Sequence, residues 1–418
     1  MMNINKFLLA AFAMGGCVIS SQSVAAEGLK VFKAGDVIKA AEMNSNFSLL
    51  QDLANKAQLD FSFKEVAIDC QVDSQALANY LSAPSPTRFT KLKLTGTCEG
   101  DSKGELSITR GGLWIEGGEI SAQVLVRGMP DISFADVSFT SSLRPEFWVD
   151  GGGSAYLQNV TFASGANPVV TGNSALAYNG DISGLDLFAN QASRLFFFSP
   201  TGVANSVTVE TGSALEFTEM STKTLSASLS ASFKGKLLKA DDVYINNGAS
   251  GFTESLVVAN ELNLKANASL YSDVINGNII AVLQSSALKT SGNVEATELA
   301  VNYASSIRVK GNATLTGFYV NTVSSARVDG TMTATEAAIV DGSTMRADKI
   351  AVEKNVFIRR ATVQVDSEVN YGTIDAGAFS DLILNMPIAT MCQDIGNRSD
   401  VVGWSRLESK GYPHDCSN

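Results

Sequence analysis

Ser305-Ser306-Ile307-Arg308-Val309-Lys310-Gly311-Asn312-Ala313-Thr314-Leu315-Thr316-Gly317-Phe318-Tyr319-Val320 decides the fold. Ile307 and Val309 alternate with Ser306 and Arg308, then Ala313 and Leu315 alternate with Asn312 and Thr314. Apolar residues two apart give the period of a strand, not of a helix. Gly311-Asn312 and Gly317 punctuate the run as turns. The next stretch repeats the layout with Ala326 and Val328, Gly330, Met332 and Ala334, then Ala337 and Ile339. Three short strands and three turns per unit are therefore expected.

Working outward, a small residue recurs: Ser154, Ser174, Ser193, Ser213, Ala231, Ser250, Ser269, Ser286, Ser305, Ser324, Ser343, Ala361 and Ser380. Two residues after each marker stands an apolar one, among them Tyr156, Phe233, Phe252, Tyr271 and Ile307. A fixed step of about 19 residues means a stacked repeat, because no unit that short buries its apolar face alone. Each coil would add strands about 4.8 Å further along the stack. The markers share the parity of the apolar positions, so they are expected inward, at a tight corner. Their hydroxyls are expected to bond a backbone carbonyl or the next Ser. No base accompanies them, so they read as packing and not as nucleophiles. The fold class is all-β: a right-handed parallel β-helix of about 15 coils, with a short N-terminal helix.

The 418 residues are 45% hydrophobic and only 17% charged, with 35 Gly and 8 Pro. The low charge suits a β-rich exported chain. Formal net charge is −11. This argues against a nucleic-acid or anionic-membrane binder. Lys6, the apolar run Phe7 to Ile19 and Ser23-Val24-Ala25-Ala26 read as a signal peptide cleaved after Ala26. Lipidation at Cys17 is the rival reading. Export to the extracellular space, cell surface or periplasm follows from either.

Four cysteines remain, Cys70, Cys98, Cys392 and Cys416, in two local pairs on either side of the repeats. An even number in an exported chain points to disulfides Cys70–Cys98 and Cys392–Cys416. A metal site is not expected: the one His is His414 and no CxxC occurs. No cofactor is expected either.

Residues 27–60 open with a short strand. A helix over about 39–59 then carries Met43, Phe47, Leu50, Ala54 and Ala57 at steps of 4, 3, 4 and 3. That seam suits a coiled coil. It must pack on a partner chain or on the end of the stack. Phe32-Lys33-Ala34-Gly35-Asp36-Val37-Ile38 through Asn44-Ser45-Asn46-Phe47 resembles a module of phage fibre-like and bacterial surface proteins. The resemblance implies an oligomerising neck, most simply a homotrimer, with no catalytic role.

Residues 61–103 carry Ala67-Ile68-Asp69-Cys70, a short helix from Asp73 to Leu81, and Leu92-Lys93-Leu94-Thr95-Gly96-Thr97-Cys98. This set resembles the start of bacterial right-handed parallel β-helix proteins of the pectate-lyase-like group. It implies a capped first coil and is silent on activity. Irregular coils follow over 104–153. The repeat runs to 390, and 391–418 reads as a C-terminal cap.

Sites on such stacks lie on outward residues under long loops. Coils of 17 to 20 residues leave little room for such loops. The carboxylates to weigh are Asp131, Asp136, Glu146 and Asp150, beside Arg127, Arg144 and Trp148, then Asp181 and Asp186. A stack of bases stands out more: Lys289, Arg308, Arg327 and Arg346 recur at one place in four successive coils. Asp329, Asp348 and Asp366 could offset them. Phe196-Phe197-Phe198 should expose at least one ring. The leading functional expectation is a non-catalytic surface or matrix protein that binds a glycan or partner along its flank. The alternatives are a carbohydrate-active enzyme with a shallow site at 127–200 and a tail-spike-like protein of phage origin.

Overall fold

The computed structural model describes residues 64–83, 89–128, 131–163, 165–376, 380–384 and 401–402. The signal segment, Cys17, the neck seam from Met43 to Ala57 and the pair Cys392 and Cys416 lie outside them.

The described chain is an all-β parallel solenoid of about 15 turns. Every strand pairing is parallel, and one apolar core runs from Ile68 to Leu382. From Ala214 onward most turns are a single long strand, such as Ala214–Ala227, Ser232–Asn246 and Ser250–Lys265. This differs from the expected three strands per unit. Two of the corners are taken by register shifts inside the strand, as between Val258 and Glu261 and between Ala334 and Glu336. A bulge bends a strand without ending it. The turn at Gly311-Asn312 does separate Ser306–Val309 from Ala313–Val320.

The third corner is tighter. Tyr303 (φ 58°) and Ala304 (φ 58°) are both left-handed, as are Thr322 (φ 53°) and Val323 (φ 59°) one coil on. Left-handed backbone costs a non-glycine residue roughly 1–2 kcal/mol. The ladder holds it there: the Ala304 N–H donates to Thr322 O at 2.9 Å, and the Val323 N–H to Asp341 O at 2.9 Å.

The small inward residue follows this corner. Ser174, Ser193, Ser213, Ser286, Ser305, Ser324 and Ser343 are all buried there. Three expected markers are displaced by one residue. Gly153, Ala249 and Ala268 take the inward place, and Ser154, Ser250 and Ser269 face outward. Tyr156, Phe252 and Tyr271 consequently point outward as well. Packing explains the shift at Phe252. The Phe233 ring reaches into the next coil, where a Cβ on Gly251 would lie 2.2 Å from it. Only glycine fits inward there, so the aromatic one residue later turns out.

The first coils are longer and capped. The helix Ala76–Ser82 buries Leu77 completely against the core. Cys70 and Cys98 form the expected disulfide beneath it. Arg110 holds the helix end: its guanidinium lies 4.6 Å from the centre of the Tyr80 ring and donates to Tyr80 O and Ala83 O. Val401–Val402 pairs with Ile374 and Asp375, so a stretch expected beyond the repeat continues its ladder.

Candidate functional site

One outward position can be followed through every coil. The register joins Glu65, Lys91, Trp114, Ser133, Tyr156, Ala177, Phe196 and Glu216. It continues through Lys234, Phe252, Tyr271, Lys289, Arg308, Arg327, Arg346, Gln364 and Ile383. These residues form one column along a flank, with neighbours about 4.8 Å apart. Strand pleat places them all on the same face. The four predicted bases Lys289, Arg308, Arg327 and Arg346 do stand on successive rungs.

Their charges are not equivalent. Asp329 accepts from Arg308 at 3.0 and 3.2 Å and also from Arg327. Burial pushes the Asp329 carboxyl up, but the Arg327 and Arg308 hydrogen bonds outweigh it and hold the group below the ordinary carboxylate range. Arg346 binds Asp366 at 2.9 Å. Asp348 instead accepts the Ser367 hydroxyl at 2.7 Å. Arg327, Asp329, Arg346, Asp348 and Asp366 line a cleft of about 210 Å³ together with Val328. The arginine part of the strip is thus self-compensated.

The lysines are held by aromatics. Phe252 and Tyr271 stack at 5.4 Å with planes 2° apart. The Lys234 ammonium lies 5.9 Å from the Phe252 ring centre and that of Lys289 lies 5.7 Å from Tyr271. Cation–π attraction of this kind is worth about 0.5–1 kcal/mol at an exposed site. Among the described residues neither lysine has a carboxylate within 4 Å. Lys234–Phe252–Tyr271–Lys289 is therefore the part of the column with positive charge to spare. By marker parity alone Phe252 and Tyr271 belong in the core, yet both face outward. Gly251, glycine at an inward place beside Phe233, was the signal that could have reversed that reading.

The candidate catalytic carboxylates serve the stacking. Glu146 is fully buried, with Arg144 on one oxygen and the Asn167 N–H on the other at 2.7 Å. Asp131 pairs with the Ser154 hydroxyl and Asp136 with the Asn159 amide, each one coil away. Asp150 accepts from Thr171, which in turn accepts the Trp148 indole N–H. Arg127 lies over the Trp148 ring. Asp186 accepts from Ser206. Asp181 accepts both the hydroxyl and the N–H of Ser183, which hold its carboxyl below the ordinary range. These bonds use the acids as staples between and within coils. Among the described residues no cluster of three or more His, Cys, Asp or Glu could hold a metal ion. Of the three consecutive phenylalanines, Phe197 is buried, while Phe196 and Phe198 face out, half-buried.

No protein-family model, no curated protein and no solved structure matches the chain.

Proposed function

We propose that the chain is an exported, non-catalytic solenoid that binds an extended glycan or partner along its flank. The observation that supports this reading most is the unbroken outward column, with Lys234, Phe252, Tyr271 and Lys289 at its centre. Successive rungs point their side chains to one face at a constant spacing, which suits a polymer lying along the stack. Two lysines without a carboxylate partner favour an acidic polymer over this segment. The chain is acidic overall, so attraction is local and screened by salt within about 8–10 Å. The consumption of Glu146, Asp131 and Asp150 in stacking bonds supports a non-catalytic role.

Export rests on the leader-like segment ending at Ala26. The likeness of 61–103 to the pectate-lyase-like right-handed group supports the same class of exported stack. The neck seam Met43, Phe47, Leu50, Ala54 and Ala57 supports assembly as a homotrimer, which would present three flanks.

The test is calorimetric titration of the mature chain with a polyuronate and with a sulfated glycan. Lys234→Gln with Lys289→Gln should abolish binding to whichever is bound. Arg327→Ala should change it little, because Asp329 keeps Arg308. Equal affinity of the double variant and the parent would refute the reading for this segment.

A further inference from the structure

We propose that the polymer held by the flank is zwitterionic: its acidic groups meet Lys234 and Lys289, and a free amine on one of its sugars meets Asp348. The inference rests on the flank reading and adds a second charge to its ligand class. Asp329, Asp348 and Asp366 stand on three successive coils, each two residues after Arg327, Arg346 or Gln364. Asp329 accepts from Arg327 in its own coil and from Arg308 one coil before. Asp366 accepts from Gln364 in its own coil at 3.0 Å and from Arg346 one coil before at 2.9 Å. By that pattern Asp348 would accept from Arg346 and from Arg327. Both guanidinium groups are engaged elsewhere, with Asp366 and Asp329. Asp348 has only the Ser367 hydroxyl, on one of its two oxygens. Among the described residues no Lys or Arg nitrogen lies within 4 Å of it.

Asp348 lines the cleft of about 210 Å³ together with Asp329, Asp366, Arg327 and Arg346. The three arginines of the ladder balance its three acids in number, but not in place. Arg308 and Arg327 share Asp329, which leaves the charge of Asp348 uncovered. Lys310 stands two coils before Asp348, and Lys349 next to it is bonded to Glu368 at 2.8 Å. A carboxylate with lone pairs to spare, beside donors already used, takes a cationic donor from outside. A primary ammonium is compact and brings three donors, and its bond to a carboxylate is charge-assisted. A sugar amine suits the cleft better than a protein's lysine does. Val328 is the one apolar residue in its lining, whereas protein interfaces centre on apolar anchors. Ser325, Thr344 and Thr362 run along the same outward face beside the arginines and offer hydroxyls to a sugar. The register from Lys289 through Arg308 and Arg327 to Arg346 spans three rungs, about 14 Å. One extended chain can therefore place an acid at Lys289 and an amine at Asp348.

The test is calorimetry of the mature full chain with two probes: hyaluronan, whose only charges are carboxylates, and the same polymer after partial de-N-acetylation, which adds protonated amines. The second should bind about tenfold tighter, the worth of one charge-assisted hydrogen bond. Asp348→Asn, which keeps an oxygen for the Ser367 hydroxyl, should remove that gain and leave hyaluronan binding as it was. Re-acetylating the polymer should remove the gain with the parent protein, a control that does not depend on how a variant folds. Equal affinity of the parent for both probes, or a gain that survives Asp348→Asn, would overturn the proposal. Poly-L-lysine bound through Asp348, with no gain from the sugar amines, would overturn it in favour of a protein partner. Hyaluronan binding that depends on Lys234 and Lys289 without any gain from amines would leave the flank reading standing and remove this one.

Discussion

The backbone N–H of Ser305 donates to the Ser324 hydroxyl, 3.3 Å away on the next coil. Ser286 does the same to Ser305, and Ser324 to Ser343 at 3.2 Å. Where the next coil carries Ala, the bond changes. Ser343 precedes Ala361, and its N–H donates instead to Val340 O within its own coil at 3.3 Å. Ser213, before Ala231, likewise turns to Glu210 O, and Ala249, before Ala268, to Asn246 O. The buried corner N–H is satisfied either way. The serine ladder thus joins neighbouring serines, as expected, but through the backbone N–H of one and the hydroxyl of the next; the hydroxyls of Ser324 and Ser380 also donate to the carbonyls of Thr322 and Ile358.

Ser324→Ala should therefore be mild. The Ser305 N–H has the fallback seen at Ser343, so the loss should stay near about 1 kcal/mol, the net value of one hydrogen bond. Ser324→Val should cost more, since Ser324 is 1% exposed and valine replaces the hydroxyl with one methyl and adds a second at a tight corner. Urea unfolding of both variants checks the order. A larger loss for Ala than for Val would mean the hydroxyl, and not the corner volume, fixes this position.

Gly251→Ala should destabilise by about 1–3 kcal/mol, the usual cost of overpacking a core. The added methyl would sit 2.2 Å from the Phe233 ring. Phe233→Leu in the same chain should recover part of the loss, because the two sites share one space. Additive losses in thermal melts would show that the contact is not the cause.

The difference between legible and hidden features follows from the same pair. The coil length and its inward alternation were readable because Ile307, Val309, Ala313 and Leu315 keep strict parity over one strand. The four bases were readable because Lys289, Arg308, Arg327 and Arg346 share an unambiguous parity. The aromatics were not. Ser250 and Ala249 are both small, so either could mark the corner, and only the volume of Phe233 decides between them. The pairing of Arg308 with Asp329 spans 21 residues and needs the coil register to be seen.

Removing the Cys70–Cys98 bond by Cys70→Ala with Cys98→Ala should cost about 2–4 kcal/mol, the typical effect of an internal crosslink. The bond spans 28 residues and encloses the capping helix. The loss should appear first as proteolysis near Leu77, ahead of global unfolding. A cap as protease-resistant as the parent's would mean that Arg110 and the Leu77 packing suffice.

Tyr319 should mark alkaline unfolding. Its hydroxyl donates to Glu336 at 2.6 Å, and this bond, with burial, pushes its pKa up to about 12. The folded state thus favours the neutral phenol. Its contribution is present below the ordinary value near 10 and is lost as the pH rises from there to about 12. Melting curves of the parent and Tyr319→Phe should therefore converge over that range. A gap between them that stays constant from pH 9 to 12 would contradict the assignment.

The most direct measurement of the central claim is a glycan-array screen of the mature chain beside a flank variant carrying Lys234→Gln, Tyr271→Ala and Lys289→Gln. The parent should bind extended acidic polysaccharides. The variant should lose them while keeping its melting temperature, because all three side chains face outward. An identical pattern for both proteins, or no acidic polysaccharide bound by the parent, would contradict the flank as the functional surface.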